Sequence, residues 1–112
     1  MGTLINEYIK EMKLVIITAI KEFENDIKLQ LKEADVKTFS FRDVTGYRDG
    51  TGDAVESNWF SSEMNQTESI LFYAFVKKEN VNMLFELINN FNQQQQSLSQ
   101  IHVAVINIEK SN

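Results

Sequence analysis

The sequence predicts a single α+β domain of the ferredoxin-like class, with one antiparallel sheet and two helices on one of its faces. The 112 residues suffice for one core but are too few for two. Apolar segments with strand and helix periodicity follow one another in the order β-α-β-β-α-β. Because β-α-β crossovers are right-handed, both helices should cover the same side of the sheet.

The first half of the chain supplies the first strand, helix and second strand. The run from Leu14 to Ile20 is apolar and rich in β-branched residues, which is typical of a central strand. A helix over about 23–34 follows from one apolar stripe, formed by Phe23, Ile27, Leu31 and Ala34. Alternation of apolar and polar residues then predicts a half-buried strand over 36–47, and Gly46 marks where the strand gives way to the following loop.

The second half repeats this order. A continuous apolar run over 70–76 predicts the third strand. Helical spacing predicts a second helix over about 80–92, with Asn80 as its N-cap and Gln93 to Gln96 as a linker after it. The final strand covers 101–106.

A long loop separates the second and third strands. Three of the four glycines lie between Gly46 and Gln66, among small polar residues, and loops of this length are usually functional or disordered. Trp59 and Phe60 are adjacent aromatic residues in this loop, and they either fold back onto their own assembly or bind a partner. Residues 1–11 form an N-terminal extension, so the domain spans 12–112.

Composition excludes several classes of function. The chain has 11 basic and 16 acidic residues and a net charge of -5, which argues against binding to nucleic acid or anionic lipid. The absence of cysteine excludes disulfides, thiolate metal sites and a cysteine nucleophile. The apolar run at 14–20 is too short to span a membrane and no cleavage site follows it, so we expect a cytoplasmic protein without membrane insertion.

The first and third strands are apolar on both faces, whereas a sheet with one face in water should alternate. In the first strand, Val15 and Ile17 point to one face and Leu14 and Ile16 to the other. In the third strand, Ile70 and Phe72 point to one face and Leu71 and Tyr73 to the other. The face without helices therefore needs a cover, and self-association is the simplest source. We expect Ile17 to lie on this open face, where a polar substitution would dissociate the oligomer.

The segment VKTFSFRDVTGYR at 36–48 resembles the second strand and loop stem of the P-II signalling family, and LKEADV at 31–36 is similar to the end of its first helix. The resemblance covers about 12–108. It implies a homotrimer joined through bare sheet faces, adenine nucleotides bound between subunits, and a long loop presented to transporters or enzymes. The segment 58–60 and the tail 101–110 are similar to a diverged stand-alone group linked with heavy-metal efflux transporters.

The resemblance implies that Gly46, Tyr47 and Arg48 bind the effector. Arg48 would clamp an anion, or it is a surface arginine paired with Asp43 or Asp49. The family's phosphate-binding loop is rich in glycine and lysine, and the corresponding segment here, 92–100, has neither. We therefore expect much weaker ATP binding than is typical of the family.

The leading hypothesis is a regulatory trimer that senses a small effector at subunit clefts and adjusts a partner, such as a metal-efflux or other membrane transporter, through the 46–66 loop. The alternative is a divalent-metal-binding or metal-tolerance protein that uses an acidic loop and His102. The loop carboxylates are Asp49, Asp53, Glu56 and Glu63, which could equally be solvated; His102 could equally be structural. Ser61 and Ser62 have no histidine or elbow motif beside them, and we expect no enzyme activity.

Overall fold

The computed structural model describes residues 12–48 and 66–112 and confirms the predicted α+β ferredoxin-like order. The strands are β1 (Met12–Ile20), β2 (Ser40–Tyr47), β3 (Gln66–Lys77) and β4 (His102–Asn107). The helices are α1 (Glu24–Glu33), which follows a 3-10 turn at Lys21–Phe23, and α2 (Lys78–Gln94). The N-terminal extension, most of the loop between β2 and β3, and its aromatic pair Trp59 and Phe60 lie outside the described residues.

The four strands form one antiparallel sheet in the order β2-β3-β1-β4, with β3 and β1 at its centre. Ile17 of β1 lies opposite Phe72 of β3 on one side and opposite Val103 of β4 on the other. Residues that face each other across antiparallel strands point to the same side of the sheet. This register therefore assigns every strand residue to either the helix side or the open side.

The core lies between the sheet and the two helices. The strands contribute alternate residues, which are Val15, Ile17, Ala19, Ile70, Phe72, Ala74 and Val76. The helices contribute Ile27 and Leu31 from α1 and Leu84 and Ile88 from α2. All of these side chains are apolar, so their removal from water drives the docking of both helices onto one face.

The side assigned to Ile17 was wrong. Its side chain is 1% exposed and packs in the core, whereas Leu14 and Ile16 occupy the open side of β1. A period of two separates two sets of residues but does not say which set faces the helices, and both sets here are apolar. A polar residue at position 17 would disrupt the fold itself.

The second strand begins at Ser40, four residues later than predicted, because α1 ends in a Schellman motif. Asp35 adopts the left-handed conformation with φ of 62°. Its N–H donates to the Lys32 carbonyl at 3.0 Å, and the Val36 N–H donates to the Leu31 carbonyl at 2.8 Å. These bonds satisfy two of the last carbonyls of α1 and bring Val36 back into the core.

The predicted N-cap of the second helix was also wrong. Lys77 is the N-cap and makes no side-chain capping bond, so Asn80 already lies within the first turn of α2. Strand β3 passes into α2 at Lys77 without a turn. At the other end, Gln93 and Gln94 belong to the last turn of α2 and not to a linker.

The Asn92 side chain ties the end of α2 to the start of β4. Its Nδ2 donates to the Ile101 carbonyl and its Oδ1 accepts from the Ile101 N–H, both at 2.8 Å. Ile101 is buried in the core, so this pair of hydrogen bonds sets where the chain re-enters the sheet. The polar pair replaces a backbone ladder bond at a position just before β4.

Asn92→Asp should lower the free energy of unfolding by roughly 1 to 3 kcal/mol, because it removes the donor to Ile101 and places a carboxylate beside that carbonyl. Urea unfolding followed by circular dichroism measures the change. Asn90→Asp is the matched control, since Asn90 is exposed on the same helix. If Asn92→Asp unfolds at the same urea concentration as wild type, the side chain of Asn92 does not have this role.

Candidate functional site

Pairing between β2 and β3 holds the two ends of the long loop together. Gly46 lies opposite Thr67, and Tyr47 lies opposite Gln66 at the last pair of the ladder. Gly46 is buried, Tyr47 is 65% exposed, and Arg48 follows the strand in a half-buried position. The structure thus places the three predicted effector-binding residues at the stem of the loop.

A salt bridge links this stem to the end of β1. The Lys21 ammonium donates to the Asp43 carboxylate at 2.8 Å, and both side chains are largely exposed. The hydrogen bond and charge of Asp43 raise the pKa of Lys21 above its ordinary value of 10.5. The stabilisation is therefore complete at neutral pH and is lost only as pH rises through the raised value. Asp43, one of the two partners suggested for Arg48, thus forms an ion pair with Lys21.

A cleft of about 470 Å³ lies beside the stem. Its lining mixes both signs of charge, with Lys21 and Arg42 against Asp43 and Glu68. A neighbouring cleft shares Lys21, Thr45 and Glu68 with it. These surfaces suit a small polar ligand better than an apolar one, because charged and hydroxyl groups provide donors and acceptors.

The connection between α2 and β4 hydrogen-bonds largely to itself. The Gln95 Oε1 accepts from the Ser97 N–H at 2.8 Å, and the Gln95 Nε2 donates to the Ser97 and Ser99 carbonyls. The Ser97 Oγ accepts from the Ser99 N–H at 3.1 Å. The Ser97 and Ser99 amides therefore already have acceptors within the connection, whereas a phosphate-binding loop needs amides that point at the ligand.

The open side of the sheet is a continuous apolar surface. By register its largely apolar part consists of Leu14, Ile16, Thr18, Leu71, Tyr73, Phe75, Ala104 and Ile106, which we call the open face; Ser40, Arg42, Val44 and His102 lie on the same side of the sheet around it. Phe75 is 59% exposed, and Tyr73 and Ile106 are also exposed. The prediction that the first and third strands are apolar on both faces is confirmed. An apolar surface of this extent is typical of a binding interface.

The described parts of the chain offer little support for a metal site. Within 12–48 and 66–112, no three His, Asp or Glu side chains lie close enough together to hold a metal ion. His102 is exposed on the edge strand β4, opposite Thr18. The four loop carboxylates proposed as ligands lie outside the described residues.

No helix in the described ranges is both long enough and apolar enough to cross a membrane.

Sequence reasoning found the loop stem but missed the polar contacts around it. The Lys21 and Asp43 pair joins residues 22 positions apart, and the Asn92 and Ile101 pair joins residues nine apart. Neither spacing matches a local motif. Only the packing of the folded chain brings these groups together, so no signal in the sequence marks them.

Comparison with known proteins places the fold. The sequence matches no protein-family profile, and it matches no curated protein sequence. Solved structures do match over most of the chain. A DUF3240 family protein from Shewanella baltica superposes with a TM-score of 0.62 at 14% identity, over 91% of this chain and 94% of the other.

Two structures of CPII from Thiomonas intermedia K12, a nitrogen regulatory PII-like protein, are also similar. The form bound to ADP, AMP and bicarbonate gives a TM-score of 0.58 at 17% identity, covering 90% of this chain and 96% of CPII. The form bound to ADP, AMP and acetate gives 0.63 at 20% identity, covering 90% and 89%. The resemblance to P-II-like proteins, first suggested by the segment 36–48, is confirmed at the level of the fold.

We predict that copies of this chain associate through the open face and that Phe75→Gln weakens this association at least ~tenfold. A second copy covering the open face would bury this side chain, and an amide buried there without a partner costs roughly 1 to 3 kcal/mol. Light scattering over a dilution series measures the effect. Leu98→Gln is the matched control, because Leu98 is 72% exposed in the connection before β4. If both variants dissociate equally, or neither does, the open face is not the interface.

Proposed function

We propose that this chain is a diverged P-II-like regulatory protein without enzyme activity, which works as a cytoplasmic homotrimer and senses a small effector at its subunit clefts. The observation that carries the proposal is the likeness to CPII over about nine-tenths of the chain, since CPII binds ADP and AMP together with bicarbonate or acetate. The regulatory domain comprises residues 12–112, preceded by an extension at 1–11.

Assembly through the open face follows from the exposed aromatic residues on β3. Tyr73 and Phe75 project from the centre of the sheet on the side that neither helix covers. Each large apolar side chain gains roughly 1.5 to 3 kcal/mol when it is fully removed from water. If three copies bury their open faces against one another, the apolar residues on both sides of the sheet are removed from water.

The effector site would form around the loop stem, with a second subunit completing it. Gly46, Tyr47 and Arg48 supply a buried backbone position, an exposed aromatic ring and a guanidinium group in three consecutive residues. An adenine ring stacks well on tyrosine, and a guanidinium fork suits a phosphate or a carboxylate. The connection before β4 hydrogen-bonds largely to itself and contains neither lysine nor glycine. The third phosphate of a nucleoside triphosphate therefore gains little binding energy there.

The 46–66 loop would carry the signal to a partner, for which a metal-efflux or other membrane transporter is our proposal. Trp59 and Phe60 are its aromatic residues beyond the stem. Tryptophan is enriched at binding hot spots because it buries much area at low entropic cost.

Arg48→Gln should weaken binding of ADP and AMP at least ~tenfold, since it removes the charged donor for their phosphates. Isothermal titration of each nucleotide, with and without bicarbonate, measures this, and native mass spectrometry gives the number bound per assembly. Lys37→Gln is the matched control, because it also removes one positive charge and Lys37 is exposed and lines neither cleft beside the stem.

ATP should bind no more tightly than ADP, because the connection provides no additional positive charge. Tight ATP binding would overturn the assignment of the connection as unable to hold phosphate. Failure of ADP and AMP to bind wild type at millimolar concentration would overturn the effector proposal.

Trp59→Ala should leave the melting temperature and the assembly unchanged while weakening partner or effector binding at least ~tenfold. The emission of Trp59 reports on this directly, because it is the one tryptophan in the chain. We expect red-shifted, quencher-accessible emission in the free protein and a blue shift on addition of the effector or transporter. Blue, protected emission in the free protein, with a lower melting temperature for the alanine variant, would show that the aromatic pair is structural.

A further inference from the structure

A third cleft lies at the end of the sheet opposite the loop stem. Its volume is about 510 Å³, and it is bounded by the start of β1, the end of β3, the first turn of α2 and the end of β4. The lining side chains are Lys13, Lys77, Lys78, Glu79, Val81, Asn82, Val105 and Asn107. We call this the lysine cleft. It shares no residue with the clefts beside the loop stem.

Three lysines line this cleft, although the chain as a whole is acidic. Lys21 and Lys28, by contrast, form ion pairs with Asp43 and Glu24. None of Lys13, Lys77 and Lys78 forms an ion pair within the described ranges. The Lys13 ammonium instead donates to the neutral Oδ1 of Asn107 at 2.7 Å, which leaves two of its three donors for another group.

The remaining lining is also rich in donors. The amide groups of Asn82 and Asn107 carry N–H donors, and the cleft includes the first turn of the 17-residue helix α2. The side chain of the N-cap, Lys77, makes no capping bond, so the positive end of the helix dipole adds to the lysine charges. Glu79 is the one acidic side chain in the lining, and it leaves a net excess of two positive charges.

Sheet register places Lys13 on the helix side of the sheet, opposite Val76 of β3 and Asn107 of β4. Lys77, opposite Met12, ends β3 and is the N-cap of α2, and Lys78 is the first residue of that helix. The three lysines therefore belong to a rigid sheet end and a helix start. An anion in the cleft is attracted by each ammonium group that reaches it.

We propose that the lysine cleft binds a small multivalent anion of the phosphate type, such as a diphosphate or a phosphate ester. Compact ammonium groups on flexible stems act as point charges that surround a phosphate, and amide donors fill its remaining acceptor positions. The site is separate from the effector site proposed at the loop stem and does not depend on Arg48.

The test measures binding of inorganic pyrophosphate to the full chain at about 150 mM salt, where unlinked surface charges further apart than ~8 Å are screened. Isothermal titration should give one saturable site per chain for wild type. A variant with Lys13, Lys77 and Lys78 all changed to Gln should bind at least ~tenfold more weakly.

The matched control changes Lys28, Lys32 and Lys37 to Gln. These three lysines line a different cleft, and their substitution removes the same charge. Lys28 and Lys37 already form ion pairs with acidic side chains. The control triple variant should bind pyrophosphate like wild type, and circular dichroism confirms that each variant folds. Arg48→Gln is the variant that tests the loop stem as the location of the bound pyrophosphate. Should the triple variant be unfolded, the single changes Lys77→Gln and Lys78→Gln replace it, and each should weaken binding measurably.

If the cleft variant and the control triple variant lose pyrophosphate affinity equally, the loss comes from net charge alone, and the proposal is overturned. Loss caused by Arg48→Gln would move the pyrophosphate to the loop stem, which also overturns it. Citrate is the competing probe. Binding of citrate as tightly as pyrophosphate would overturn the phosphate class, whereas a preference for pyrophosphate of at least ~tenfold supports it.

Discussion

The structure depends on the double-sided apolar character of its two central strands. β1 and β3 pair over nine positions and carry apolar side chains both toward the helices and away from them. On the helix side, burial of Ile17 and Phe72 beneath α1 and α2 organises the domain. On the other side, the same strands leave aromatic and aliphatic groups exposed. Folding of one chain therefore buries only the helix side of these strands. We propose that association of copies buries the open side.

Polar groups then determine where the chain enters and leaves this sheet. The Schellman motif at Asp35 turns the chain from α1 toward β2, and the Asn92 side chain fixes the return from α2 to β4. In the connection itself, Gln95, Ser97 and Ser99 satisfy one another. A segment whose hydrogen-bond donors already bond to its own backbone is well ordered, but few of its donors remain available to a ligand. We therefore propose the loop stem, and not this connection, as the place where an effector binds.

Much of the fold could be predicted because periodicity reports which elements exist. The order of elements and the apolar faces of β1 and β3 followed from spacing alone, and the stem residues from a resemblance over 36–48. The side occupied by Ile17 could not, since two apolar sets alternate and only the packed helices distinguish them. The N-cap at Lys77 was hidden because lysine carries no capping signal. The lysine cleft was invisible for a further reason: its lining comes from the start of β1, the start of α2 and the end of β4, which are far apart in the sequence.

Strand β3 also links the two ends of the molecule mechanically. Its 12 residues run from Gln66 at the loop stem to Lys77, where α2 begins without an intervening turn. At ~3.3 Å per residue this is a continuous element of about 40 Å. A shift of one residue along its neighbours would turn every core side chain outward, so the strand cannot slide. The loop stem and the start of α2 are therefore held at a fixed spacing by one strand.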